Sequence, residues 1–124
     1  MVAQKIRILL VDDHKDILDS LTALLRLDPT LDVVGSATDG QMAVTLARRL
    51  HPDVVIMDIR MPSLSGIKAT RLIVMENPAI NVIGYSTYSN YAVKAEMQNA
   101  GASACINKRD PIQSLMTAIH ECRS

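Results

Sequence analysis

The sequence predicts an α/β fold, a doubly wound five-stranded parallel sheet with five helices in a three-layer α/β/α arrangement. Three observations carry this expectation. A short apolar run, a turn and an amphipathic stretch recur five times along the 124 residues; this alternation is the pattern of βα units on a parallel sheet. The apolar runs are continuous rather than alternating, which suits strands buried on both faces. The residues directly after several of the runs are polar and ionisable, and in open parallel sheets ligands sit beyond the carboxyl ends of the strands.

Each element has its own warrant. The first strand is Ile6–Val11, apolar apart from Arg7 and continuous rather than alternating. Ile17, Leu18, Leu21, Leu24 and Leu25 then repeat at helical spacing, and Asp28-Pro29 ends that helix because Pro disfavours helix in the residue before it. A second strand is expected over 33–37, with Asp39-Gly40 as a turn. The second helix carries Ala43, Leu46, Ala47 and Leu50 on one face and stops at His51-Pro52. The third strand is Val54–Met57. A loop over 58–66 follows, punctuated by Pro62 and Gly66. A helix over about 67–76 ends before Asn77-Pro78. The fourth strand covers 81–85, and a weaker helix over about 90–100 is closed by Gly101. The fifth strand is Ala104–Asn107. The last helix begins near Pro111, a residue favoured in a first helical turn, and aligns Ile112, Leu115, Met116, Ile119 and Cys122. Residues 1–124 thus read as a single domain with its core at about 5–122, and no second domain is visible.

Composition removes several function classes. Lys+Arg and Asp+Glu number 13 each, giving no net charge. That argues against direct nucleic-acid binding through a basic field and against polybasic membrane attachment. With 48% hydrophobic and 21% charged residues the chain is ordinary globular material. There is no Phe or Trp and there are three Tyr, so the core is aliphatic, with seven Met as adaptable filler, and aromatic stacking platforms for RNA are lacking. The longest unbroken apolar run, 8–11, is far short of the ~20 residues of a membrane span. The N-terminus has no signal-peptide apolar region, so the cytoplasm is the expected compartment. Cys105 and Cys122 belong to no CxxC pair and read as reduced thiols, in keeping with that compartment.

The polar residues after the strands are the informative ones. Asp12 and Asp13 follow strand one, Asp58 follows strand three, Ser86-Thr87 closes strand four and Lys108 follows strand five. Each has a structural alternative. Asp12 or Asp13 can cap the first helix. Asp58 can start a turn. Ser86 or Thr87 can cap the fourth helix, with Ser89 and Asn90 as rivals. Lys108 can be solvated surface. Together, three carboxylates, a hydroxyl pair and an amine meet at one sheet edge. Gathered carboxylates repel one another and raise each other's pKa. With oxygen ligands only and no His or Cys nearby in the pattern, Mg²⁺ is the expected cation. His14, His51 and His120 are scattered and suggest no metal site; His14 reads as solvated.

These residues carry a family likeness. Ile8-Leu9-Leu10-Val11-Asp12-Asp13-His14, Asp58-Ile59-Arg60-Met61-Pro62 with Gly66, Ser86 at the end of strand four, and Gly101-Ala102 followed by Lys108 resemble the receiver domain of bacterial response regulators in two-component signalling. The likeness runs from about residue 5 to residue 121, and its wording looks most like the NarL/LuxR-type branch, whose members usually carry a C-terminal helix-turn-helix. The resemblance implies a flavodoxin-like strand order 2-1-3-4-5. It implies that Asp58 accepts a phosphoryl group from a phosphohistidine on a histidine kinase or phosphotransfer protein. Asp12, Asp13, Asp58 and the backbone carbonyl of Arg60 would hold Mg²⁺. Ser86 would be the switch hydroxyl, and Lys108 would contact the phosphoryl group. Such a domain is no enzyme beyond its own phosphorylation and dephosphorylation. It acts by changing a partner-binding surface, with homodimers among its partners. It can stand alone, or be part of a DNA-binding regulator or a hybrid kinase.

Four positions depart from the pattern or vary within it. The residue three before Lys108 is usually an aromatic ring that turns inward with the switch hydroxyl; here it is Cys105. Either Ser86 moves without a rotating ring, or Tyr85, Tyr88 or Tyr91 takes part differently. Arg109 replaces a common Pro. Arg60 and Tyr88, two residues past Asp58 and Ser86, would flank the phosphoryl group and shield it from water, giving a lifetime longer than seconds. Cys105 also favours an alternative, a phosphorylation-independent pseudo-receiver that acts as an interaction module. A Mg²⁺-dependent aspartyl-phosphate phosphatase would need an acid/base Asp where Arg60 stands. A dinucleotide-binding module would need GxGxxG after the first strand.

Overall fold

The computed structural model describes residues 4–61, 64–87 and 90–122. Its elements alternate strictly: β1 (Ile6–Val11), α1 (Lys15–Leu25), β2 (Leu31–Ala37), α2 (Gly40–Leu50), β3 (Val54–Met57), α3 (Gly66–Glu76), β4 (Asn81–Ser86), α4 (Tyr91–Asn99), β5 (Ala104–Asn107) and α5 (Ile112–Glu121). The five strands form one parallel sheet in the order β2-β1-β3-β4-β5. The order reverses between β1 and β3, so the crevice beyond the carboxyl ends of those two strands is the topological switch point.

The period-two geometry of the strands splits the core into two halves. Ile6, Ile8 and Leu10 of β1 pack toward Leu18, Leu21 and Leu25 of α1 and Leu115 and Ile119 of α5. Leu9 and Val11 pack the other way, toward Ala43 and Val44 of α2, Ala69 and Ile73 of α3 and Met97 of α4. Both faces of β3 are therefore covered, and all four of its residues are buried. This is why the runs read as continuously apolar.

Several boundaries moved by a residue or two, for local reasons. β2 begins at Leu31, which is buried and pairs with Ile6, whereas exposed Asp32 hid the strand's start in the sequence. Asp39-Gly40 is not a separate turn. Asp39 is the N-cap of α2, its carboxylate accepting the Met42 N–H at 2.8 Å, and Gly40 opens the helix. Ser65 caps α3 in the same way. Asn90 caps α4, accepting the Val93 N–H at 2.9 Å, while Ser86 belongs to β4. Neither Asp12 nor Asp13 caps α1, whose N-cap residue is His14.

Gly66 and Gly101 are each required by geometry. A Cβ at Gly66 would lie 2.0 Å from the carbonyl oxygen of Asp58. Gly66 N–H also donates to the Ile59 carbonyl at 2.8 Å, so the start of α3 is pressed against the segment after β3. Gly101 has φ +110°, the left-handed region that an L side chain avoids, and it turns the chain from α4 toward β5. Among the described residues, no helix is long and apolar enough to cross a membrane.

Candidate functional site

The carboxyl ends of β1, β3, β4 and β5 deliver their polar residues to one place. Asp12 N–H donates to the Ala37 carbonyl at 3.0 Å, and Asp58 N–H donates to the Val11 carbonyl at 2.9 Å. The sheet's hydrogen bonding thus runs one residue beyond the strands and holds both aspartates by their backbones. Lys108 N–H donates to the Ser86 carbonyl at 3.1 Å, fixing the end of β5 against the end of β4. A cavity of about 310 Å³ opens there, lined among others by Asp13, His14, Asp58, Arg60, Ser86 and Lys108.

Charge is concentrated and partly desolvated. Asp12 and Asp58 are 2% and 7% exposed. Lys108 Nζ lies 2.5 Å from Asp12 Oδ2 and 3.7 Å from Asp58 Oδ1. One ammonium is thus shared by two buried carboxylates, and it favours Asp12. Asp58 also accepts the Ile59 N–H on Oδ1 at 2.9 Å. Its pKa is pushed up to about 6, first by burial; Lys108 opposes the rise and Asp12 adds to it. A carboxylate held this way gains from any cation brought beside it.

The donor set suits a hard divalent ion. Asp12, Asp13, His14 and Asp58 each offer a ligand atom, and these atoms lie within 4.8 Å of one another. Three carboxylate oxygens at the rim of a sheet match Mg²⁺, which binds through few carboxylates and keeps several waters. His14 was expected to be simply solvated. Its side chain is 66% exposed, yet its Nδ1 lies 3.1 Å from Asp12 Oδ1 and 3.0 Å from Asp13 Oδ1. The backbone explains this: His14 N–H donates to Asp12 Oδ1 at 2.9 Å, so the link to α1 folds back over the aspartates. The adjacency Asp-Asp-His was the signal in the sequence that could have found it.

The structure brings Asp12, Asp13, Asp58, Arg60, Ser86 and Lys108 together at one end of the sheet, as their positions after the strands implied. Ser86 is 1% exposed at the end of β4. Tyr88 lies outside the described residues. Cys105 stands away from the carboxylates, half-buried on the α2/α3/α4 side of the sheet, and burial pushes its thiol above the usual value, so it remains protonated.

Comparison with known proteins agrees with this geometry. The model of the response regulator receiver domain family matches residues 8–120. The transcriptional regulatory protein LnrK of Bacillus subtilis is 36% identical over 114 residues, covering 92% of this chain and 52% of that protein. The signal receiver domain of the putative response regulator NarL of Mycobacterium tuberculosis superposes with a TM-score of 0.91 at 26% identity, covering 97% of each chain. A LuxR-family two-component response regulator of Aurantimonas superposes with a TM-score of 0.91 at 32% identity, over 95% of this chain and 84% of that one. The chain spans about half the length of the curated regulators it matches. A family match over 8–120, with the strand order and the acidic switch-point cluster in place, means that this chain belongs to the response regulator receiver domain family of two-component systems and has NarL- and LuxR-type regulators among its relatives.

Proposed function

We propose that Asp58 is the phosphoacceptor of a two-component phosphorelay. The observation that carries this reading is its placement: a desolvated carboxylate at the switch point, on the wall of an open cavity, 3.7 Å from a lysine ammonium. An Asp58 carboxylate oxygen attacks the phosphorus of a phosphohistidine on a histidine kinase or phosphotransfer protein. The phosphorus–nitrogen bond breaks, its electron pair returns to the imidazole, and an acyl phosphate remains. Such transfers depend mainly on positioning and charge neutralisation. Asp12, Asp13, Asp58 and the backbone carbonyl of Arg60 would hold Mg²⁺, which would supply charge neutralisation for the transferred phosphoryl group. Lys108 turns from Asp12 toward a phosphoryl oxygen, and the Ser86 hydroxyl donates to another. The Arg60 side chain, at the cavity wall, limits the approach of water.

The acyl phosphate shifts a two-state equilibrium only as far as it stabilises one state over the other. The changed surface then engages the output partner, a second copy of the chain among the candidates. We read residues 1–124 as one cytoplasmic receiver domain with its core at about 5–122. Direct contact with nucleic acid is left to other parts of a regulator, since the chain has no net charge. Cys105 favours a second reading, a pseudo-receiver that binds partners without phosphorylation.

Intact mass after incubation with Mg²⁺ and acetyl phosphate separates the two. The expected result is a hydroxylamine-labile gain of one phosphoryl group in the wild type and none in Asp58→Ala. No adduct, with no binding of beryllofluoride, would put the pseudo-receiver first.

A further inference from the structure

The position that usually supplies a rotating ring is closed as well as ring-free. Cys105 pairs in register with Gly84 across β4 and β5. A Cβ at Gly84 would lie 3.1 Å from both Cys105 Sγ and Met97 Cε, and Met97 is fully buried. The α4 side of the strand below Ser86 is therefore filled by a thiol and a thioether. Tyr91 cannot substitute from the interior, being 89% exposed at the start of α4.

The opposite side of β4 differs. Tyr85 directly precedes Ser86, and its side chain belongs to the α1/α5 half of the core at 8% exposure. The Lys108 ammonium lies 6.0 Å from the centroid of its ring, within the reach of a cation–π attraction. The same ammonium binds Asp12 and faces Asp58. Beside the ring is a cavity of about 410 Å³, lined by Tyr85, Thr87, Lys108 and Asp16, Ile17, Ser20 and Leu21. The last four residues belong to α1. One cation thus touches the carboxylates and an aromatic ring, and the ring has free space on the α1 side.

We propose that Tyr85 is the positioning residue of Lys108, and that it relays the state of Asp58 to α1. The inference rests on the phosphoacceptor reading above. In the resting state the ring and Asp12 together hold the ammonium. When the ammonium turns to an acyl phosphate, the ring loses its charge partner and resettles into the neighbouring cavity against Ile17 and Leu21. The readout face is then α1, and the Cys105–Gly84–Met97 side of β4 stays as it is.

Methyl and ring NMR spectra of the whole chain, with Mg²⁺ and before and after beryllofluoride, test this. Bound fluoride resonances that vanish in Asp58→Ala report the acceptor site by themselves. The expected result is that Ile17, Leu21 and Tyr85 signals shift while Met97 and Val93 signals stay in place. Tyr85→Phe keeps the ring and should keep the α1 shifts. Tyr85→Leu should lose them and tighten beryllofluoride binding about two- to fivefold, because the cation–π contact that holds Lys108 in the resting state is then absent. Shifts centred on Met97 and Val93, or α1 shifts that survive Tyr85→Leu, would overturn the relay while leaving the acceptor reading intact. Absence of the bound fluoride resonances would overturn both.

Discussion

Asp12, Asp58 and Lys108 form a charge triangle in which the two carboxylates are buried and the single cation is shared. The sign of its effect on stability follows from Asp58. Its folded pKa of about 6 lies above the ordinary carboxylate value. The charged form is therefore the costly one, so the metal-free protein gains stability as pH falls from 7 through about 6, with the gain complete near pH 4. Asp28 sets the other limit. Hydrogen bonds from Thr30 and His120 hold it down to about 2, so the stability it contributes is lost as pH falls from about 4 toward 2. From these two groups, thermal melts of the metal-free protein are expected to peak near pH 4. Asp58→Asn should raise stability at pH 7 by about 1–3 kcal/mol and remove the slope between pH 4 and 7. A melt that rises steadily from pH 5 to 7 in the wild type would contradict this. Lys108→Ala should do the reverse at neutral pH. It leaves Asp12 buried without its cation and should cost about 3 kcal/mol by urea denaturation.

Among the elements, the helix starts decide how firmly the site is held. Asn90 caps α4 through one hydrogen bond to Val93 N–H. Asn90→Ala should cost about 1 kcal/mol and speed amide exchange at the start of α4. Gly66 has a stronger constraint, since its neighbour is the backbone of Asp58 itself. Gly66→Ala should displace the segment 58–59, cost about 1–3 kcal/mol and weaken divalent-ion binding measured by calorimetry. Unchanged ion affinity in that variant would refute the link between α3 and the site. The same elements mark what could be read in advance. β1, β3 and β5 were legible to the residue because they are buried on both faces or flanked by sharp polar boundaries. β2 was cut short because an edge strand with Asp32 outward does not read as continuously apolar. The Asp39 cap looked like a turn because Asp-Gly serves both, and only the packing of α2 decides between them.

For the whole molecule, chain order placed the site before any coordinates did. In a parallel doubly wound sheet, every residue following a strand lies at the same edge, so Asp12, Asp13, Asp58, Ser86 and Lys108 had to meet. What chain order could not show was which pairs would touch. The preference of Lys108 for Asp12 over Asp58, the folding back of His14, and the tight packing around Cys105 depend on side-chain placement across separate elements. The global charge state adds a further expectation. Mg²⁺ that binds the folded chain and not the unfolded one should raise the melting temperature with its concentration. Asp12→Asn and Asp13→Asn should flatten that dependence, and an equal Mg²⁺ response in all three proteins would place the ion elsewhere.

The most direct test of the central claim is to locate the phosphoryl group. Protein treated with Mg²⁺ and acetyl phosphate is reduced with borohydride, which converts an aspartyl phosphate to homoserine, and the peptides are sequenced by mass spectrometry. Homoserine at position 58, and at none of positions 12, 13 or 110, is the expected result. Aspartate retained at position 58, or homoserine formed at Asp12 or Asp13 instead, would contradict the assignment of Asp58 as the acceptor.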